Sequence, residues 1–387
     1  MKLWKPDELF IHDDDDVKND DVTRWILRRC GGVPVTYVTN ARKDIAGKSK
    51  ILNKTTGFLE KILAGKHVLY VAPGENAVDT FQIDDPRMKC PAFPRLKLSS
   101  NGCFFACEWC YLKLTYRHAS PFIEVRVQYE KIKKQLEKKL SETTDGVMFN
   151  AGELGDSLSL DHLARAAASF IPWFGTTVNG HLFMLTKSGA ADHILKLRHN
   201  GRTVLAWSLN APEVSKRYEK GAPPFKMRLE AARKAQEAGY PVRVRLDPIV
   251  PIEKRLGDKA WREIYSRTIR EIFKAVTPER VTLGTLRFER NFHRMRGKLI
   301  SQGCDLLATM EGMKPMFSKD PGTGKAGKYS FDIATRSEIF AFALREIRKH
   351  SDCPVALCKE EEKVWDNVGL DLSRCACVCQ LHAVDMT

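Results

Sequence analysis

Apolar and polar positions along this chain fall into two alternating rhythms. From Pro91 onward, short apolar runs of strand length are each followed by a segment of helical period. The pattern predicts strands at Arg95–Ser99, Gly146–Phe149, His181–Thr186, Thr203–Leu209, Pro241–Val250 and Arg280–Phe288. It predicts helices at Tyr129–Leu140, Leu160–Trp173, Ala191–His199, Pro224–Ala238, Asp258–Val276 and Asn291–Leu307. Strands alternating with helices at this spacing make a parallel sheet. Six such units predict an α/β fold, an open, partial (β/α)6 barrel spanning residues 91–310. In such barrels the chemistry sits at the C-terminal ends of the strands.

Upstream, Val33–Val38 and Val68–Ala72 read as strands and Thr56–Leu63 as a helix, giving a small α/β lead-in over residues 1–90. The acidic run Asp13–Asp16, with Asp20 and Asp21, reads as a solvated segment. Downstream, residues 311–387 hold a glycine- and lysine-rich turn, Lys319–Ser330, read as a basic hairpin with Tyr329 near its tip, then a helix at Thr335–His350 and a cysteine-rich tail. The turn contains Gly-Thr-Gly-Lys without full P-loop spacing.

One strand breaks the apolar rule. In Pro241–Val250, Arg243, Arg245 and Asp247 share one face and Val242, Val244 and Leu246 the other, because side chains alternate along a strand. The apolar set must pack on helices, so the charged set points into the barrel. Buried charges are costly unless paired, so Asp247 either neutralises an arginine or leaves one to bind a substrate anion.

The net charge of +15 and a pI near 9.3 are the electrostatic footprint of a protein that meets a polyanion, most simply nucleic acid. No apolar run approaches the roughly 20 residues of a membrane span. The N-terminus has no apolar signal-peptide core. Both features predict a cytoplasmic protein with reduced thiols, in which 11 cysteines suggest metal rather than disulfides.

The densest chemistry is at Ser100–Tyr111, where Cys103, Cys107 and Cys110 form a C-x3-C-x2-C loop. Three thiolates on one loop can hold three irons of a [4Fe–4S] cubane and leave the fourth iron open. An open iron can take the amino and carboxylate groups of S-adenosylmethionine. Zinc would want four ligands, usually in two separated pairs. The spacing resembles the signature of the radical S-adenosylmethionine superfamily. A second group of five cysteines, Cys353, Cys358, Cys375, Cys377 and Cys379, falls within 27 residues of the tail. Cys358, Cys375, Cys377 and Cys379 could hold an auxiliary iron–sulfur cluster or zinc, or remain unligated; Cys30 and Cys90 read as packed thiols.

From about Val33 to Lys359 the chain also resembles the spore photoproduct lyase family. The likeness rests on the cysteine loop with Tyr111, Pro-Phe-Ile-Glu-Val after it, Leu-Thr-Lys at 185–187, Trp-Ser-Leu-Asn at 207–210 and Glu-Ala-Gly-Tyr-Pro at 237–241. It implies a radical-SAM barrel with Cys103, Cys107 and Cys110 as cluster ligands. It further implies that Tyr111 sits by S-adenosylmethionine and takes part in hydrogen transfer, and that Lys187 and Ser208, with Asn210 beside them, hold its carboxylate. Gly152-Glu153 resembles the Gly-Glu pair that grips its amino group. Arg287-Phe288 resembles the substrate-facing strand end, and Gly327-Lys328-Tyr329 the hairpin that wedges into DNA.

The chain departs from that family at two positions. Trp109 stands where the family has a second tyrosine. The family's hydrogen-donating cysteine lies just after the second strand, where this chain reads Phe-Asn-Ala-Gly-Glu-Leu-Gly-Asp. The implied activity is radical chemistry on a pyrimidine base in DNA, as lesion repair or as thymine-derived modification or isomerisation. It would be fed by a flavodoxin- or ferredoxin-type electron donor. Two alternatives are an auxiliary-cluster enzyme acting on RNA, a peptide or a small metabolite, and a non-catalytic iron–sulfur protein that binds nucleic acid.

Overall fold

The computed structural model describes residues 3–83, 88–115, 120–251, 260–288, 295–301, 313–316 and 328–382. Its strands, in chain order, are β1 (Glu8–His12), β2 (Val35–Val38), β3 (Val68–Ala72), β4 (Val78–Phe81), β5 (Phe93–Leu96), β6 (Ser99–Ser100), β7 (Ile123–Arg126) and β8 (Val147–Asn150). They continue as β9 (Gly180–Thr186), β10 (Thr203–Ser208), β11 (Val242–Ile249), β12 (Val281–Thr285), β13 (Arg287–Phe288), β14 (Lys314–Pro315), β15 (Tyr329–Ser330) and β16 (Val355–Leu357).

The larger sheet has the order β16-β12-β11-β10-β9-β8-β5-β4. Its strands from β5 to β16 run parallel, and β4 pairs antiparallel to β5. All residues of β10 and β12 are buried, as expected of parallel strands covered on both faces. In β11, Val242, Val244 and Leu246 join the apolar core while Arg243, Arg245 and Asp247 take the other face. The expected alternation is therefore present. Among the described residues the edge strands β4 and β16 do not pair with each other. A single antiparallel bridge, Lys89–Glu360, joins the segments beside them.

The remaining strands form two smaller sheets. One has the order β2-β1-β3-β7-β6 and the other is the antiparallel set β13-β15-β14.

Several expectations need correction. β16 adds a seventh parallel strand to the six expected. β1 is a central strand that the sequence reading passed over. The acidic run behind β1 is helix-capping rather than merely solvated. Asp14 accepts from Val17 N at 3.1 Å, and Asp20 accepts from Val22 N at 2.9 Å and from Gln128 N at 3.1 Å. The stretch Arg95–Ser99 is divided, since β5 lies in the large sheet and β6 pairs with β7 in the other. The sheets thus interleave across residue 90.

Leu160–Trp173 breaks into helices Asp161–Ala164 and Ala166–Phe174 at Arg165, whose φ is +56°. Ala191–His199 forms tight turns, with Ile194 N bonded to Ala191 O and Leu197 N to Ile194 O, instead of a helix. Arg280–Phe288 splits into β12 and β13. Tyr329 lies in β15 opposite Phe288 rather than at a hairpin tip, and residues 317–327 lie outside the described residues. The 291–307 helix is described only at Arg296–Ser301.

Candidate active site

The cysteine loop is fastened at both sides by backbone. Gly102 pairs with Gly155 just beyond β8, through Gly102 N to Leu154 O at 3.1 Å and Asp156 N to Gly102 O at 3.0 Å. A Cβ on Gly102 would come within 1.9 Å of Ser99 Oγ, so no larger residue fits. On the far side, Ala106 N donates to Lys220 O at 2.7 Å and Glu108 N to Tyr218 O at 2.9 Å. Beneath the loop, the buried Lys66 donates to Asn101 Oδ1 at 2.8 Å and to Cys103 O at 2.6 Å. Burial pulls its ammonium down in pKa, and the neighbouring Cys103 and Cys110 sulfurs oppose that. Burial, reinforced by the Asp156 carboxylate, raises Cys103 well above the ordinary thiol range. Burial and Glu219 push Cys107 up to about 12. Metal binding at these positions would favour the thiolates and release their protons.

The ends of β9 and β10 supply the next wall. Asp156 accepts from Leu158 N, Ser159 N, Thr186 Oγ1 and Lys187 N at 2.6–3.1 Å, which fixes the backbone where Lys187 leaves the strand. Lys187 Nζ donates to Ser208 Oγ at 2.8 Å and lies 3.7 Å from Glu219. Burial works against this ammonium, but Glu219 and the Cys107 sulfur hold it above its ordinary value. Glu219 in turn pairs with Arg228 at 2.6 Å, both side chains fully buried. Sequence reasoning missed Lys66, Asp156, Glu219 and Arg228. Only Asp156 carried a signal, in the Gly-Glu-Leu-Gly-Asp stretch.

The third wall is a charge ladder. Asp247 receives Arg245 at 2.8 Å and Arg287 at 3.2 Å. Burial opposes its carboxylate, yet Arg287 and Arg245 hold it far below the ordinary range. A Cβ on Gly284 would lie 2.2 Å from Asp247 Oδ1, so glycine on β12 makes room for this carboxylate. Arg287 lies 3.7 Å from the buried Glu360, which also pairs with Arg336.

These walls enclose a cavity of about 370 Å³ lined by Cys103, Cys107, Cys110, Trp109, Tyr111, Gly152, Glu153, Lys187, Ser208, Arg245, Asp247, Arg287, Lys328 and Lys359, among others. Tyr111 donates its hydroxyl to Glu153 O, and Glu153 pairs with Lys359 at 3.4 Å. Lysines and arginines outnumber carboxylates along the lining, which suits an anionic ligand.

Three expected site residues do not line this cavity. Arg243 is buried away from it, bonded to Glu279 at 3.0 Å and to Val378 O and Gln380 O at 2.7 and 2.6 Å. Asn210 spends its amide on Pro248 O and accepts from Ala211 N and Tyr265 Oη. Tyr329 is also absent from the lining.

The family model described as spore photoproduct lyase matches residues 88–302, more than half of the chain. The chain belongs to the spore photoproduct lyase family. Curated spore photoproduct lyases from Geobacillus sp. and Bacillus subtilis are 33% identical over 196 residues and 34% over 183. Those alignments cover 50% and 47% of this chain and 55% and 51% of the relatives. The chain thus spans about half the length of the curated relatives it matches.

A solved structure of spore photoproduct lyase complexed with dinucleoside spore photoproduct superposes with a TM-score of 0.73 at 22% identity, covering 92% of this chain and 99% of that one. A double mutant with bound AdoMet and dinucleoside spore photoproduct gives a TM-score of 0.71 at 22% identity over the same shares. The fold of the spore photoproduct lyases therefore extends well beyond the stretch aligned by sequence.

Proposed function

We propose that this chain is a radical S-adenosylmethionine enzyme acting on a pyrimidine lesion or modified pyrimidine in DNA. The observation that carries the reading is the convergence of Cys103, Cys107, Cys110, Tyr111, Glu153, Lys187 and Ser208 on one cavity. The donor set fits the cofactors. Three cysteines on one fastened loop suit a [4Fe–4S] cluster with one open iron. A cluster bound there supplies an electron to the sulfonium of S-adenosylmethionine and so releases a 5′-deoxyadenosyl radical. Lys187 and Ser208, already 2.8 Å apart, present an ammonium and a hydroxyl to an ionised carboxylate. Glu153 offers a carboxylate to the amino group. Tyr111 holds the O–H that can give a hydrogen atom within the cavity.

On the substrate side, Arg287 and Lys328 offer cations at the cavity wall, and the dinucleoside ligand of the structural relative supports a nucleic-acid lesion as substrate. A base must leave the stack to reach such a cavity, at a cost of a few kcal/mol. The stretch just after the second strand, where the family's hydrogen-donating thiol falls, reads Phe-Asn-Ala-Gly-Glu-Leu-Gly-Asp here and has no cysteine, and a Cβ at Gly152 would meet Leu185 Cβ at 2.6 Å. A larger side chain has no room at Gly152. This favours, as a second reading, a modifying or isomerising reaction in which the product radical is not quenched by that thiol.

Anaerobically reconstituted protein with reductant and S-adenosylmethionine tests the proposal. 5′-Deoxyadenosine should form, and DNA containing spore photoproduct should raise its yield with recovery of thymidine. Deoxyadenosine without lesion loss would support the modifying reading. No deoxyadenosine would overturn both.

A further inference from the structure

The four buried cysteines of the tail converge. Cys358 follows β16 on the inner face of the large sheet, its N–H on Leu283 O at 2.7 Å and its sulfur 2.7 Å from Arg245 Nη2. Cys377 receives Thr282 Oγ1 at 3.5 Å, and its sulfur lies 3.3 Å from that of Cys379. Cys375, also buried, precedes Cys377 by two residues. Cys90, expected to be an isolated packed thiol, is brought beside the Cys358 segment by the Lys89–Glu360 bridge, in which Lys89 N donates to Glu360 O at 3.2 Å. Four buried thiols and the half-buried Cys90, from three separate segments, therefore lie in one region of the fold. All described cysteines are free.

Plain packing does not account for this group. A buried thiol that serves as a small hydrophobe sits among apolar side chains. Here Arg245 is bonded to Cys358 as well as to Asp247, and Arg280 Nη2 donates to Leu381 O at 3.1 Å, two residues beyond Cys379. The Nη1 atom of Arg280 is buried with no hydrogen-bond partner, as is Gln380 Nε2. A buried guanidinium with an unanswered N–H needs an anion or acceptor beside it.

A single ion does not fit either. Among the described residues, no three His, Cys, Asp or Glu side chains are arranged around one metal ion. The same is true of Cys103, Cys107 and Cys110, the trio whose spacing suits a cubane, because a cluster spreads its ligands wider than an ion does. We propose that Cys90, Cys358, Cys375 and one of Cys377 and Cys379, whose sulfurs at 3.3 Å are too close to bind different irons, supply the four ligands of a second iron–sulfur cluster beside Arg245. Thiolate is the soft ligand that such clusters take, and a thiolate-ligated cluster carries negative charge that would answer the unpartnered Arg280 N–H. Through Arg245 and Asp247 this site adjoins the substrate wall of the cavity.

The test removes the first cluster to expose the second. The Cys103→Ala/Cys107→Ala/Cys110→Ala variant is reconstituted anaerobically with ferrous iron and sulfide, then assayed for iron, acid-labile sulfide and Mössbauer spectrum. It should retain about four irons and about four sulfides per chain. Adding Cys375→Ser/Cys377→Ser/Cys379→Ser should abolish that content. Should the combined variant fail to fold, the loop variant alone decides. Its binding no iron and sulfide would overturn the proposal, and so would one zinc per chain that iron and sulfide do not displace. S-Adenosylmethionine cleavage by the parent protein is a separate readout, so failure here leaves the proposed activity standing.

Discussion

Cys103, Cys107 and Cys110 lie on one short loop, fastened by backbone hydrogen bonds at Gly102, Ala106 and Glu108 and open to the cavity. The tail cysteines and the half-buried Cys90 come from three segments, with Cys358 bonded to Arg245, Cys377 to Thr282 and the tail backbone to Arg243. The first group is local in the chain and reaches a cavity. The second is assembled only by the complete fold and belongs to its core. Chemistry and stability therefore separate between them: losing the first should cost activity, and losing what holds the second should cost the fold.

The sharpest break of that contrast is Cys103→Ala/Cys107→Ala/Cys110→Ala. Reductive cleavage of S-adenosylmethionine should fall to background while urea unfolding shifts by only about 1 kcal/mol. A large loss of stability would show that the loop is as integral as the tail.

On the other side, Arg243→Met should destabilise by about 3–5 kcal/mol in urea unfolding. It strands the buried Val378 and Gln380 carbonyls and leaves Glu279 without its partner. A change under 1 kcal/mol would mean that the tail is not fixed by this arginine.

Gly284→Ala lies between the two regions. Its Cβ meets Asp247 Oδ1 at 2.2 Å, so it should cost about 1–3 kcal/mol and lower turnover by displacing the Asp247–Arg245 pair. Unchanged turnover would remove that pair from the substrate wall.

The smallest effect is a pH dependence on the tail side. Burial, with Arg202 beside it, lowers His181 to about 4, and its Nε2 accepts from Arg202 at 3.2 Å; Arg243 is a further cation acting on it. The folded state thus resists a proton that the unfolded chain takes near the ordinary imidazole value of about 6.5. Stability should be intact above that value and erode as the pH falls toward 4. In His181→Gln the drop in unfolding midpoint between pH 7 and pH 5 should shrink; an equal drop would place the acid sensitivity elsewhere.

What could be read from the sequence follows the same division. The strands β8 to β12 announced themselves as apolar runs, and the cluster loop as a contiguous spacing. β16 escaped because three residues between Pro354 and Cys358 are too short to show a period. Glu219 and Arg228, which back Lys187 and Ser208, escaped because they are scattered along the chain and meet that pair only in the fold. Alternation placed Arg243 and Arg245 on the correct face of β11 but not at the correct height. Two residues advance a strand by roughly 6–7 Å, enough to put Arg245 at the cavity and Arg243 among the tail carbonyls.

The bond between Arg243 and Val378 spans 135 positions. At synthesis rates of roughly 5–20 residues per second, the strand carrying Arg243 exists for roughly 7–27 s before the segment that fills its concave face is made. During that interval a sheet with an arginine-lined interior stands incomplete on the ribosome. Residues 378–380 thus bind a strand made long before them.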